Sequence, residues 1–156
     1  GQDRPEFSTS FSTLFWPSVQ AEDVAYWIHD QKGITHTPGS FHATLRDWAR
    51  IGLHIMDERR TPTGDCYNRF VEKASTTQIQ NQSKSFGEEF WVGRSFKGYG
   101  YQIWTDNLDD PSGTFYLNGA RGQRIAINPE RQQMMVVFSV EENYMDKLYQ
   151  LFASWK

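Results

Sequence analysis

The groups in this 156-residue chain that could do chemistry are twelve serines, four histidines, one cysteine and 19 carboxylates. Their spacing decides which chemistry is open. No serine is followed three positions later by lysine, so the Ser-x-x-Lys pair, in which an amine activates the hydroxyl, does not occur. A Gly-x-Ser-x-Gly elbow does not occur either. Tyr116-Leu117-Asn118 fits Tyr-x-Asn, but a three-letter pattern with one free position arises cheaply by chance. Thr105-Asp106-Asn107 approaches Ser-Asp-Asn and reads better as a strand end. His29, His36 and His54 lie 7 and 18 positions apart, which matches no usual metal-ligand spacing, so no metal is expected. Cys66 is the only cysteine, which excludes an internal disulfide and a Cys-based zinc site. Arg46, Asp47 and Arg50 share a helix flank and read as structural ion pairs.

Composition narrows the classes further. Apolar residues make up 38% and charged residues 22%, enough for one packed core and too apolar for a disordered chain. The formal net charge is −3 and no run of Lys or Arg forms a stripe, so no nucleic-acid partner is expected. The longest apolar run, Met134–Phe138, is far short of the ~20 residues of a membrane span, and short also for a signal-peptide core. Aromatic residues reach 15%. Tyr26, Trp27, Trp48, Tyr99, Tyr101 and Trp104 could stack on a sugar or polymer, but such side chains mostly fill cores.

The elements that must position any site follow from periodicity. Residues 1–14 have no clear period and read as an irregular lead-in. Asp23–His29 reads as a strand, Asp30–Gly33 as a turn and Ile34–Thr37 as a short return strand. Thr44-Leu45-Arg46-Asp47 is a capping-box arrangement, with Asp47 expected to reach back to the free N–H groups of the first turn. Leu45, Trp48, Ala49, Gly52, Leu53 and Met56 then share one face of a helix that ends at Asp57–Arg60. A shorter helix is expected over Tyr67–Ala74, and residues 75–89 read as a polar surface connection.

From Gly98 the period changes to two. Tyr99–Trp104 reads as an aromatic-rich strand, Thr114–Leu117, Gln123–Asn128 and Met134–Val140 as further strands. Turns fall at Asp109–Gly113, at Gly119–Gly122 and at Pro129–Gln132, and links this short argue antiparallel pairing. Asn143 with Asp146 can cap a last helix whose Met145, Leu148, Phe152 and Trp155 share one face. The pattern is α+β: residues 1–97 as part of a helical subdomain with loops, and 98–156 as antiparallel strands with a C-terminal helix, together one structural unit. Met134–Phe138 is apolar on both faces and belongs in a sheet covered on both sides. Three or four strands would leave an apolar edge, so the sheet reads as incomplete, to be finished by a complementing chain or the rest of a longer polypeptide.

Four segments, in order, resemble one family. They are Phe15-Trp16-Pro17 followed by Asp23–Trp27; Pro38-Gly39-Ser40-Phe41-His42-Ala43-Thr44 running on through Leu45-Arg46-Asp47-Trp48-Ala49-Arg50-Ile51-Gly52; Gly98–Trp104; and Asn118-Gly119-Ala120-Arg121-Gly122-Gln123-Arg124 through Glu130. Together they resemble the C-terminal part of the β-lactamase-related serine hydrolases, the group of class C β-lactamases, esterases and 6-aminohexanoate-dimer hydrolases. The likeness runs from Phe15 nearly to the end of the chain. It implies the C-terminal portion of a β-lactamase/transpeptidase-like fold, an antiparallel sheet with flanking helices. It also implies acyl transfer on a small-molecule amide or ester through a serine nucleophile, with no cofactor.

That family works with Ser-x-x-Lys, a Tyr element and a third motif on the strand that borders the cleft. The first is absent here and the one Tyr-x-Asn overlaps the third-motif strand, so the resemblance places the nucleophile outside these residues. The isolated chain is then expected to be inactive. Leu117-Asn118-Gly119 stands at the third motif, where Lys-Thr-Gly stands in class C enzymes. Leu117 supplies no cation, which leans towards the amide-, ester- and oligomer-cleaving members. The resemblance implies that the Ala120 N–H is an oxyanion donor, that Gly119 and Gly122 let the chain bend close to substrate, and that Asn118, Gly119, Arg121 and Gln123 line the cleft. Phe41 and His42 would line it from a second loop. Without the resemblance, Asn118–Gln123 reads as an ordinary Gly-containing hairpin bend and His42 as a residue ahead of a helix cap. The competing expectation is a non-catalytic binding or interaction module that kept the fold and lost the chemistry.

Overall fold

The computed structural model describes residues 7–37, 39–80, 96–108, 110, 112–140 and 145–155, and the side chains of all of these except 145 and 146. Within them the chain is α+β: helices, a two-stranded sheet and a six-stranded sheet, both antiparallel. It divides into two compact units, residues 1–51 and 52–156. The expected division between residues 97 and 98 falls inside the strand Phe96–Tyr99.

In the first unit the expected irregular lead-in is helical. α1 (Phe7–Ser10) runs into a π-helical stretch, Phe11–Phe15, and then α2 (Trp16–Ser18). The fourfold spacing of Phe7, Phe11 and Phe15 puts their rings in succession, with centroids 6.1 and 5.1 Å apart. Hydroxyls of Ser12 and Thr13 donate to the Thr9 carbonyl at 3.1 and 2.7 Å. A Ser/Thr/Phe composition with no plain amphipathic period therefore still folds locally.

β1 (Tyr26–Trp27) pairs with β2 (Phe41–His42), not with the expected Ile34–Thr37, which makes only a single bridge, Thr35 to His29. The turn chemistry at Asp30 is as its sequence suggests, with Oδ1 accepting the N–H groups of Lys32 and Ile34, each at 2.8 Å. α3 (Leu45–Arg60) begins at the capping box, where Thr44 Oγ1 accepts the Asp47 N–H at 3.2 Å. Its buried stripe is Ile51, Gly52, Ile55 and Met56, while the expected face residues Leu45 and Leu53 are 47% and 44% exposed. Adjacent stripes of one helix are both spaced for burial, and packing selects between them. A side chain at Gly52 would strike Met134 and Ile125, so the helix backbone rides directly on the sheet there.

The second unit begins within α3, at Gly52, and continues with α4 (Cys66–Ala74), capped by Asp65, whose carboxylate accepts the Asn68 N–H at 2.8 Å. Six strands follow: β3 (Ile79–Gln80), β4 (Phe96–Tyr99), β5 (Trp104–Asn107), β6 (Phe115–Asn118), β7 (Arg124–Asn128) and β8 (Gln133–Val137). Each pairs antiparallel with the next, in chain order. Of the expected strand Tyr99–Trp104 only the two ends lie in strands, paired with each other, and the four residues between them are the hairpin turn from β4 to β5, closed by the Gly100 N–H donating to the Ile103 carbonyl at 2.8 Å. β3 arises within the stretch 75–89 that reads as surface connection, of which 81–89 lies outside the described residues.

Helices cover both faces of this sheet. α5 (Met145–Ser154) brings Tyr149 and Phe152 onto Phe96, Tyr116 and Ala126, with Trp104, Met135 and Leu148 around them. Tyr149 belongs to this face, whereas Trp155, expected on it, is 53% exposed. The expected Asn143–Asp146 cap lies outside the described residues. On the opposite face, Ile55 of α3 and Val71 and Ala74 of α4 line an apolar hollow with Ile103 and Leu117. Among the described residues β8 is an edge strand, and every one of its residues is half-buried. Among the described residues no helix is long and apolar enough to cross a membrane.

Candidate functional site

The end of β6 and the bend that joins it to β7 carry five of the seven residues singled out in the sequence. Its strands are locked in register, with Phe115 opposite Ile127, Tyr116 opposite Ala126, Leu117 opposite Ile125 and Asn118 opposite Arg124. The chain must reverse within Gly119–Gln123. Gly119 is extended, Ala120–Gly122 form one 3-10 turn, and the Gly119 N–H closes the loop on the Gln123 carbonyl at 2.8 Å. Arg121 (φ 57°) and Gly122 (φ 84°) are both left-handed. Glycine takes that conformation freely, but at Arg121 it costs roughly 1–2 kcal/mol. A non-glycine residue held there marks a bend whose shape is imposed by its surroundings.

Gly119, Ala120 and Arg121 are exposed, and among the described residues the Ala120 N–H has no hydrogen-bond partner. Gln123 is half-buried, and its Nε2 donates to the Ser139 carbonyl. Asn118 keeps both amide atoms out of water, and neither has a partner among the described residues. Directly across the strands, Arg124 is only 2% exposed. Its Nη1 donates to the carbonyls of Gly119 (2.5 Å) and Gln123 (2.8 Å), and its Nε donates to the Tyr149 hydroxyl (3.0 Å). The bend can thus offer the N–H of an exposed residue to an anionic oxygen, and a buried cation holds its two ends.

Phe41 and His42 belong to the first unit and Asn118–Gln123 to the second. Both lie on β2, a ladder strand, where the sequence suggests a loop. Phe41 is enclosed by rings: Trp27, Phe11, Trp48 and Trp16 stand 4.7, 5.1, 5.2 and 5.6 Å from it, centroid to centroid. His42 is exposed and lies flat on Tyr26, its pair across the strands, at 4.6 Å and 5°. No three His, Cys, Asp or Glu side chains gather as a metal site among the described residues. The ion pairs on α3 join Arg50 to Glu22 and Asp47, without Arg46.

Two groups of interest escape a reading by motif. One is Arg124, whose only signal is a long cation opening the otherwise apolar stretch Arg124-Ile125-Ala126-Ile127. The other is a buried polar knot behind the turn that joins β5 to β6. Asp110 accepts the Tyr116 hydroxyl at 3.0 Å and both the N–H and hydroxyl of Ser112. Asn128 Nδ2 donates to Ser112 and Thr114. Burial pushes the Asp110 carboxyl up, but the donors from Ser112, Thr114 and Tyr116 outweigh it and hold it below its ordinary range. Every member is satisfied from within, which is the signature of a structural network.

Comparison with protein-family models and with curated proteins gives no match for this chain.

Proposed function

We propose that these residues are the C-terminal portion of a serine hydrolase of the β-lactamase-related type, in a β-lactamase/transpeptidase-like fold, acting on small amides or esters. A serine carried elsewhere attacks the carbonyl carbon, an acyl-enzyme forms, and water releases the acid. This chain supplies one oxyanion donor and part of the cleft wall. The observation that carries the reading is the Ala120 N–H, exposed and without a partner among the described residues, on a bend fixed by an imposed left-handed backbone. Support also comes from the ordered likeness of four segments and from an antiparallel sheet with helices on both faces. With Leu117 in place of a cation, the reading favours neutral amides and esters over β-lactams.

The test begins with the natural reading frame, which should encode Ser-x-x-Lys and a Tyr motif upstream of Gln2. That gene product should hydrolyse a p-nitrophenyl ester and lose the activity to a serine-directed inhibitor. Ala120→Pro removes the N–H and little else, because Gly119 (φ −103°, ψ 168°) already has the extended backbone that proline requires before it. The variant should lose about 100- to 1,000-fold in kcat. A frame without those motifs, or a gene product without serine-dependent ester hydrolysis, would leave the binding-module reading in its place, and an Ala120→Pro variant with undiminished kcat would remove Ala120 from the oxyanion site.

A further inference from the structure

Arg124 sits where an apolar residue would be expected. Its strand neighbours and the side chains on its face, Tyr116, Ala126 and Tyr149, are buried. Taking a guanidinium out of water is costly unless it is paired. Among the described residues no carboxylate pairs with it: the two ion pairs both belong to Arg50. Its acceptors are neutral, namely the carbonyls of Gly119 and Gln123 and the hydroxyl of Tyr149, and its Nη2 has no partner among the described residues. Among the described residues its partners are thus all neutral, and what these hydrogen bonds hold is the backbone and the phenol that accept them.

What Arg124 does accomplish is geometric. Gly119 and Gln123 are the two ends of the bend, already joined by the Gly119 N–H on the Gln123 carbonyl. One guanidinium nitrogen grips both carbonyls, and the phenol of Tyr149 on α5 fixes the other side of the fork. Between the gripped ends stand Ala120 and the left-handed Arg121. Without the grip, the backbone cost at Arg121 would be relieved by rotation of the adjoining peptides, and the Ala120 N–H would lose its direction.

We propose that Arg124 is a positioning residue for the oxyanion donor: with Tyr149 behind it, it clamps the bend so that the Ala120 N–H points outward at a fixed angle. The proposal rests on the hydrolase reading for its catalytic half, while its structural half concerns the bend alone. Lysine would keep the charge but brings one nitrogen where Arg124 uses two, Nη1 for the carbonyls and Nε for the phenol. Arg124→Lys therefore separates charge from geometry, and Arg124→Met removes both.

The test has two arms. In the 156-residue chain, amide hydrogen exchange at Gly119 reports the clamp directly. Both Arg124 variants should exchange there about tenfold faster or more, with strand amides of β7 unchanged as the control for folding. In the nucleophile-bearing gene product, both variants should lose about tenfold or more in kcat with KM within about twofold, because a misdirected N–H weakens transition-state binding alone. Tyr149→Phe should show the same pattern with smaller amplitude. Gly119 exchange within about twofold of the parent in Arg124→Met overturns the clamp. Faster exchange with kcat unchanged overturns the positioning role. If Ala120→Pro is itself without effect on kcat, the oxyanion role of Ala120 fails, and if the gene product shows no serine-dependent hydrolysis, the hydrolase reading fails; the exchange arm decides the clamp in either case.

Discussion

Asp47 gathers four donors around one carboxylate that is fully buried. The N–H groups of Glu22 and Asp23 reach it at 3.0 and 3.1 Å, the Thr44 hydroxyl at 3.0 Å and Arg50 Nη1 at 2.9 Å. Burial pushes its pKa up, but these four donors outweigh burial and hold it below the ordinary 3.8. A carboxyl whose folded pKa is depressed contributes stability above its unfolded value and loses it as pH falls through the folded one. Asp47→Asn should therefore cost about 1–3 kcal/mol in urea unfolding at pH 7, and the gap to the parent should close below the ordinary carboxylate pKa. An equal gap at pH 7 and in acid would show that charge plays no part. The capping box Thr44-x-x-Asp47 is legible because its members are three apart. The N–H groups that Asp47 serves are not its own helix's first turn, as expected, but those of a loop 24 and 25 residues earlier. Spacing displays local partners, and the path of a loop through space is not local.

At the scale of elements, the clearest departure is residues 99–104. Tyr-Gly-Tyr-Gln-Ile-Trp alternates as a strand should, and the strands on either side of it are real. The reversal comes from a distant contact. The Ala74 carbonyl, at the end of α4, accepts the Tyr101 N–H at 3.2 Å, and a Cβ at Gly100 would run into that same carbonyl. Gln102 then takes a left-handed φ of 61° to complete the turn. Only a glycine admits a helix end so close to a hairpin. Gly100→Ala should destabilise the chain by about 1–3 kcal/mol, since the obstacle is backbone and cannot rotate away. A thermal midpoint equal to the parent's would mean that the hairpin and α4 part without cost. By contrast, β6, the bend and β7 lie within a residue or two of their expected places, because Gly119 and Gly122 punctuate a strong alternation on either side. The candidate site was legible for that reason, and Arg124 was not, because a single cation in a strand does not say what lies across from it.

For the whole molecule, the α+β pattern and the antiparallel sheet follow from a change of period that the composition alone does not reveal. The expected three or four strands become six, and the added pairs lie on the β3 side, leaving β8 at the opposite edge. That is the strand whose apolar sequence suggested a sheet to be completed. Met134, Met135, Val136 and Val137 are all half-buried, and beyond them Phe138 and Val140 are 51% and 83% exposed. Edge strands that stay single carry lysines, prolines or bulges that refuse a partner, and Gln133–Val140 holds no charge and no proline. The 156-residue chain should therefore self-associate through β8 or pair there with an added strand. Phe138→Lys with Val140→Lys places charge on exposed positions beside that edge and disturbs no buried side chain. Sedimentation velocity over a broad concentration range should show the parent growing in mass with concentration and the double variant staying monomeric. A parent that remains monomeric throughout would mean that β8 is protected as it stands, and the sheet needs no further strand.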